Sequence, residues 1–177
     1  DNSTKVATDA FVVGQGCSNW MTRENGSGTY SFQTTANKAS IQGVVLSCPL
    51  TTSQVTYDVT AADNTANTYD IGIYNTSGTL VAHIGATAGT TFSPSAGFKT
   101  LSWTAGSVYL LPGKYYLATT TSCTSGCATI AAGNSTSGFT FYNNTSVSVS
   151  AGGTLSAISA PADSPSVSAT IPAWWVH

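Results

Sequence analysis

Hydrolysis by paired carboxylates needs two acids facing each other across a cleft, one with a raised pKa. The chain offers seven acids: Asp1, Asp9, Glu24, Asp58, Asp63, Asp70 and Asp163. Glu24 is the sole glutamate and lies in the Gly/Asn-rich stretch Arg23-Glu-Asn-Gly-Ser-Gly28, so a glycan hydrolase or lyase would have to pair it with Asp58 or Asp70. Solvated loop carboxylates explain the same residues more simply. A Ser-His-Asp arrangement needs a positioned histidine. The two available are His83, late in a candidate strand, and His177, the last residue, and no Gly-x-Ser-x-Gly elbow accompanies them. Gly14-Gln-Gly16 runs into Cys17 without the third glycine of a dinucleotide-binding turn. The sequence therefore leads us to expect a protein that is not an enzyme.

Metal chemistry has one serious candidate. Asp58, Asp63 and Asp70 bracket an Asx-rich connection that also holds Asn64 and Asn67, and hard cations such as calcium take carboxylate, amide and backbone oxygens from such loops. The spacing is not that of an EF-hand, and an Asx-rich turn is the plain alternative. No other cofactor is implied. The cysteines are Cys17, Cys48, Cys123 and Cys127. Zinc is disfavoured by the Cys-x3-Cys spacing and by the shortage of histidines. An even count in a chain with so few charges reads as two disulfides formed in an oxidising compartment. Of the three connectivities, Cys17–Cys48 with Cys123–Cys127 is preferred, because Cys-Thr-Ser-Gly-Cys can close on itself.

Aromatic side chains carry the strongest binding signal. The faces of sugar rings stack on Trp and Tyr, whose few rotatable bonds make contact cheap in entropy, while sugar hydroxyls pair with Asn, Gln, Ser, Thr and Asp. Trp20 follows closely on Cys17, and Trp174-Trp175 lie near the C-terminus, where adjacent strand residues face opposite sides. Tyr74, Tyr116 and Tyr142 fall on the side of their segments opposite the apolar residues. These six are the candidate ligand-binding residues; tryptophans plugging a core or a subunit interface are the alternative.

The elements that must position them are short. No segment sustains a helical period; brief alternating runs are separated by Gly, Asn, Ser and Pro. Candidate strands span Thr29–Thr34, Ile41–Cys48, Gln54–Thr60, Thr68–Tyr74, Leu80–Ile84, Phe98–Thr104, Val108–Leu111, Tyr115–Thr121, Gly138–Tyr142, Ser146–Ser150 and Val167–Ile171. Alternation assigns Val55, Tyr57 and Val59 to a core, with Tyr69, Ile71 and Ile73, Leu101 and Trp103, Tyr115 and Leu117, and Phe139 and Phe141. Asn75-Thr-Ser-Gly78 reads as a hairpin turn, and Gly152-Gly153 as a bend. The expected fold is all-β, a jelly-roll-like antiparallel β-sandwich with little or no helix. One domain covers residues 1–177, with Asp1–Ala10 as a linker or edge segment.

Composition bounds the setting. Charged residues make up only 7% of the chain, against ~25% in an ordinary soluble domain. Ser and Thr supply about 30%, so hydroxyls replace ions at the surface. The formal net charge of -2, with Lys5, Arg23, Lys38, Lys99 and Lys114 scattered, gives no reason to bind nucleic acid. No apolar run approaches the ~20 residues that span a bilayer, so membrane insertion is not expected. The chain starts at Asp1 without a signal peptide, as a mature form or a piece of a longer protein would. An extracellular place, secreted or on a virion or cell surface, fits the cysteines.

Tyr69-Asp-Ile-Gly-Ile-Tyr-Asn-Thr-Ser-Gly-Thr-Leu-Val-Ala82, Gly97-Phe-Lys-Thr-Leu101 and Leu111-Pro-Gly-Lys-Tyr-Tyr-Leu-Ala118 together resemble β-sandwich domains of phage tail fibres and tailspikes, and related bacterial surface modules. The resemblance covers the middle third of the chain and implies a receptor-binding domain, often trimeric, that attaches to cell-surface polysaccharide. It transfers no individual ligand residue. The expected function is thus a non-catalytic carbohydrate- or receptor-binding module acting in adhesion, with polysaccharide or surface glycan as partner. A structural subunit of an extracellular fibre, capsid or appendage is the alternative.

Overall fold

The computed structural model describes residues 20–21, 28–32, 38–133, 143–149, 152–161, 171–172 and 174–177. The described strands are β1 (Trp20–Met21), β2 (Gly28–Ser31), β3 (Lys38–Leu46), β4 (Leu50–Thr52), β5 (Gln54–Ala61), β6 (Thr68–Tyr74), β7 (Leu80–His83), β8 (Thr87–Ala88), β9 (Gly97–Ser102), β10 (Val108–Leu110), β11 (Gly113–Thr121), β12 (Thr129–Gly133), β13 (Asn143–Ser148), β14 (Ile171–Pro172) and β15 (Trp174–Val176). A single helical turn, α1 (Gly89–Phe92), stands between β8 and β9.

The fold is all-β, two antiparallel sheets packed as a sandwich. One sheet runs β1-β15-β5-β12-β14, with β9 on the other edge of β5 and β2 paired to β12. The second runs β13-β3-β11-β6-β7, with β8 also paired to β6, and β4 and β10 form a small ribbon of their own. Alternation explains why these segments pair. In β5, Val55, Tyr57 and Val59 are buried while Thr56 and Asp58 between them are partly exposed. In β6, Tyr69, Ile71 and Ile73 enter the same core from the other sheet. Each such side chain withdrawn from water contributes ~1.5–3 kcal/mol.

The centre of that core is aromatic. Phe92, delivered by α1, is stacked between Tyr57 (centroids 4.5 Å apart, 17° between planes) and Tyr69 (4.7 Å, 12°), with Phe32 edge-on to it at 5.4 Å. The Tyr57 hydroxyl donates to the Phe92 carbonyl at 2.8 Å, which fixes the helical turn on the sheet.

Beyond the second sheet lies a third layer without regular structure. After β13 the chain bends at Gly152 and Gly153, both with positive φ, and residues 154–161 cross the outer face of β6 and β11. A smaller core forms beneath this strap from Ala39, Ile41, Tyr74, Tyr116, Ala118 and Leu155. Two glycines make room for it. A Cβ at Gly72 would lie 2.6 Å from Leu155 Cδ1, and one at Gly78 (φ 82°) would lie 2.2 Å from the Ile158 carbonyl oxygen. Gly78 closes the expected hairpin turn, in which Asn75 Oδ1 accepts from the Ser77 and Thr79 amides at 3.0 and 2.9 Å. The turn that reverses β6 into β7 is therefore also the dock for the strap, since the Ile158 amide donates to the Gly78 carbonyl at 3.1 Å.

Candidate functional site

The strap corrects two of the expected binding residues. Tyr74 and Tyr116 do point away from the sandwich core, as alternation requires, yet they are 0% and 3% exposed. The Tyr74 hydroxyl donates to the Ser156 carbonyl at 2.6 Å and the Tyr116 hydroxyl to the Pro161 carbonyl at 3.3 Å. Both rings are structural, covered by a segment that has no strand period to announce it. Burial, and to a lesser degree the neighbouring Asp70, raises the Tyr74 phenol above its ordinary value, so it stays a neutral donor.

The remaining expected residues divide. Trp20 is in β1, paired with Val176, and Trp174 is in β15, paired with Tyr57. Their side chains lie outside the described residues, as does Tyr142. Glu24, Phe139, Phe141 and the segment Asp1–Ala10 fall outside them too. Trp175 is placed fully: half-buried, on the outer face of the seven-stranded sheet, with its ring 5.6 Å from Phe98 at 65°. Phe98 is 67% exposed. It was not among the expected residues, although its parity in β9 is opposite to that of Leu101 and Trp103 and so pointed outward.

Among the described residues around these two rings are several hydroxyls and one acid. Register sets Asp58 opposite Phe98 and Thr56 opposite both Trp175 and Thr100. Thr56 Oγ1 lies 2.7 Å from Thr100 Oγ1 and 2.8 Å from His177 Nε2, and Thr60 Oγ1 lies 2.7 Å from Thr129 Oγ1. β15 holds this geometry because His177 is tied to β5: its carbonyl accepts from the Ser53 and Gln54 amides, both at 3.0 Å. The result is a strand surface carrying an inclined aromatic pair, a carboxylate and paired threonines.

The three aspartates expected to hold calcium do not converge. Asp58 belongs to the outer face just described. Asp63 is buried in the β5–β6 connection, where Oδ2 accepts from the Tyr69 hydroxyl and from Asn67 Nδ2 (2.9 Å). Partial desolvation pushes its pKa up, but hydrogen bonds from Thr65, Tyr69 and Asn67 outweigh that and hold it below the ordinary value. Asp70 is buried on the far side of the other sheet, under the strap. Its Oδ2 accepts from the Leu155 amide at 2.9 Å and lies 2.8 Å from His83 Nδ1. Desolvation dominates there and raises the Asp70 pKa against the lowering effect of His83 and Leu155. Asp63 and Asp70 are spent on different pieces of the fold while Asp58 faces outward, and among the described residues no three His, Cys, Asp or Glu side chains cluster to take a metal.

Cys123 and Cys127 form a disulfide, with Cα atoms 5.6 Å apart. The bond closes the loop into β12, and the next amide, Ala128, donates to the Tyr69 hydroxyl at 2.9 Å. Cys48 is disulfide-bonded; Cys17, its expected partner, lies outside the described residues. A disulfide packed against the core indicates an oxidising environment. Among the described residues no helix is long and apolar enough to cross a membrane.

Comparison with models of known protein families finds no match, and comparison with curated proteins finds none either.

Proposed function

We propose that this protein is a non-catalytic glycan-binding module that works outside the cell, and that it binds through the outer face of its seven-stranded sheet. The observation that carries this reading is Phe98, a large aromatic ring 67% exposed on a regular strand and set edge-to-face against Trp175. Withholding such a ring from the core forgoes favourable burial, which is reasonable where a ligand covers it. The neighbouring Thr56, Thr100 and Asp58 supply the donors and acceptors that sugar hydroxyls require. A single aromatic pair gives a weak site, and the homotrimer implied by the tail-fibre resemblance would multiply it through avidity.

A glycan array followed by polysaccharide pull-down tests the reading, with Phe98→Ala and Trp175→Ala beside the wild type. Binding by the wild type that is reduced at least about tenfold in both variants supports it. Binding unchanged in both would remove the proposed face.

A structural subunit is the second reading, favoured by a different observation. Val45, Tyr109 and Leu111 are each more than 60% exposed, and low charge suits close packing between like subunits. A stable monomer by sedimentation would count against it.

A further inference from the structure

We infer that the aromatic face selects a single glycan chain bearing a protonated amine, an amino sugar rather than a neutral hexose; this rests on the glycan reading above. Three features of the face lead there. Asp58 is the direct cross-strand partner of Phe98, so its carboxylate rises from the sheet beside the exposed ring. Among the described residues that carboxylate has no hydrogen-bond or ion-pair partner, and none of the three described lysines is at hand to neutralise it. Lys38 Nζ donates to Ser148 Oγ, Lys99 Nζ to Ser95 Oγ and the Ala96 carbonyl, and Lys114 Nζ sits over the Tyr116 ring on the other sheet. His177, the other described titratable side chain on this face, is held by Thr56 Oγ1.

A carboxylate next to an exposed aromatic ring is an environment that an ammonium group prefers, because the ring quadrupole and the negative charge both attract it. The apolar side of a pyranose can stack on Phe98 while a ring-borne amine reaches Asp58. An N-acetylated sugar keeps the stacking but loses the charge. The 65° between the rings matters as well. Two rings so inclined cannot both lie flat against a crystalline polysaccharide surface, whereas one chain can lie on the first ring and against the edge of the second.

Calorimetric titration of the whole protein with three soluble trisaccharides separates the possibilities: β-1,4-linked glucosamine, its N-acetylated form and the corresponding glucose trimer, at mildly acidic pH where the free amine is protonated. The expected result is about tenfold tighter binding of the glucosamine trimer. Asp58→Asn should erase that preference, and Phe98→Ala should abolish binding of all three. Equal affinities in the wild type, or a preference that persists in Asp58→Asn, would overturn the amine inference and leave the glycan reading standing. So would a preference that survives Phe98→Ala, because it would mark diffuse charge attraction. Failure of every trimer to bind the wild type would bring down both.

Discussion

On the outer face of the six-stranded sheet, Tyr74 and Tyr116 lie under residues 152–161 and give their hydroxyls to the strap's carbonyls. On the outer face of the seven-stranded sheet, Phe98 and Trp175 lie at the surface with no comparable segment across them among the described residues. Both faces follow from the same strand alternation, and both carry aromatics where polar residues would be ordinary. The difference is that one pair has been given a permanent cover by the chain itself, with glycines at 72 and 78 cleared for it. An aromatic on the back of a sheet is thus buried or left open to solvent according to what crosses it.

The largest effect should come from unpacking the covered face. Leu155→Ala removes the strap's buried apolar anchor and leaves a cavity over Gly72, which is expected to cost about 3 kcal/mol in chemical denaturation. A cost below ~1 kcal/mol would mean that the strap is a loose cover and that the two faces are nearly equally open. Gly78→Ala comes next. It forces a side chain into a positive-φ position 2.2 Å from the Ile158 carbonyl, with an expected loss of about 2 kcal/mol.

A smaller, signed effect lies in the pH dependence. The Asp70 pKa is raised above its ordinary value of 3.8, so its protonated form suits the fold. The stability it contributes is full below 3.8 and is lost as pH rises through its folded value. Asp63 is lowered, so its contribution is present above 3.8 and disappears as pH falls through its folded value. Thermal midpoints across the acid range should therefore fall less steeply with rising pH in Asp70→Asn, and less steeply with falling pH in Asp63→Asn, than in the wild type. Opposite slopes would show that the strap does not bury Asp70 as described.

Much of this was legible in the sequence, for a physical reason. The core strands bury one face, so their period of two is written in residue type: β6 spans Thr68–Tyr74 as expected, and Val55, Tyr57 and Val59 of β5 are core. The Asn75–Gly78 turn was readable because only a few residue types make such a turn. β12 was not, since Thr129-Ile-Ala-Ala-Gly133 fills its place with small residues that carry little hydropathic contrast. The strap was not legible at all. Leu155 and Ile158 are isolated apolar residues in a Ser/Ala-rich stretch, and what makes them structural is a partner surface distant in sequence. Missing it placed Tyr74 and Tyr116 at the surface. Phe98 was within reach of the same alternation rule, but it opens its strand and stands alone, away from the Leu101 and Trp103 pair that defined the buried side.

One binding titration against the best ligand from the glycan array, run on Phe98→Ala and Tyr74→Phe side by side, bears most directly on the contrast between the faces. Phe98→Ala should lose at least about tenfold in affinity with its denaturation midpoint nearly unchanged, and Tyr74→Phe should bind as the wild type does while losing about 1 kcal/mol of stability with its hydrogen bond to Ser156. Full binding by Phe98→Ala, with binding lost in Tyr74→Phe, would contradict it.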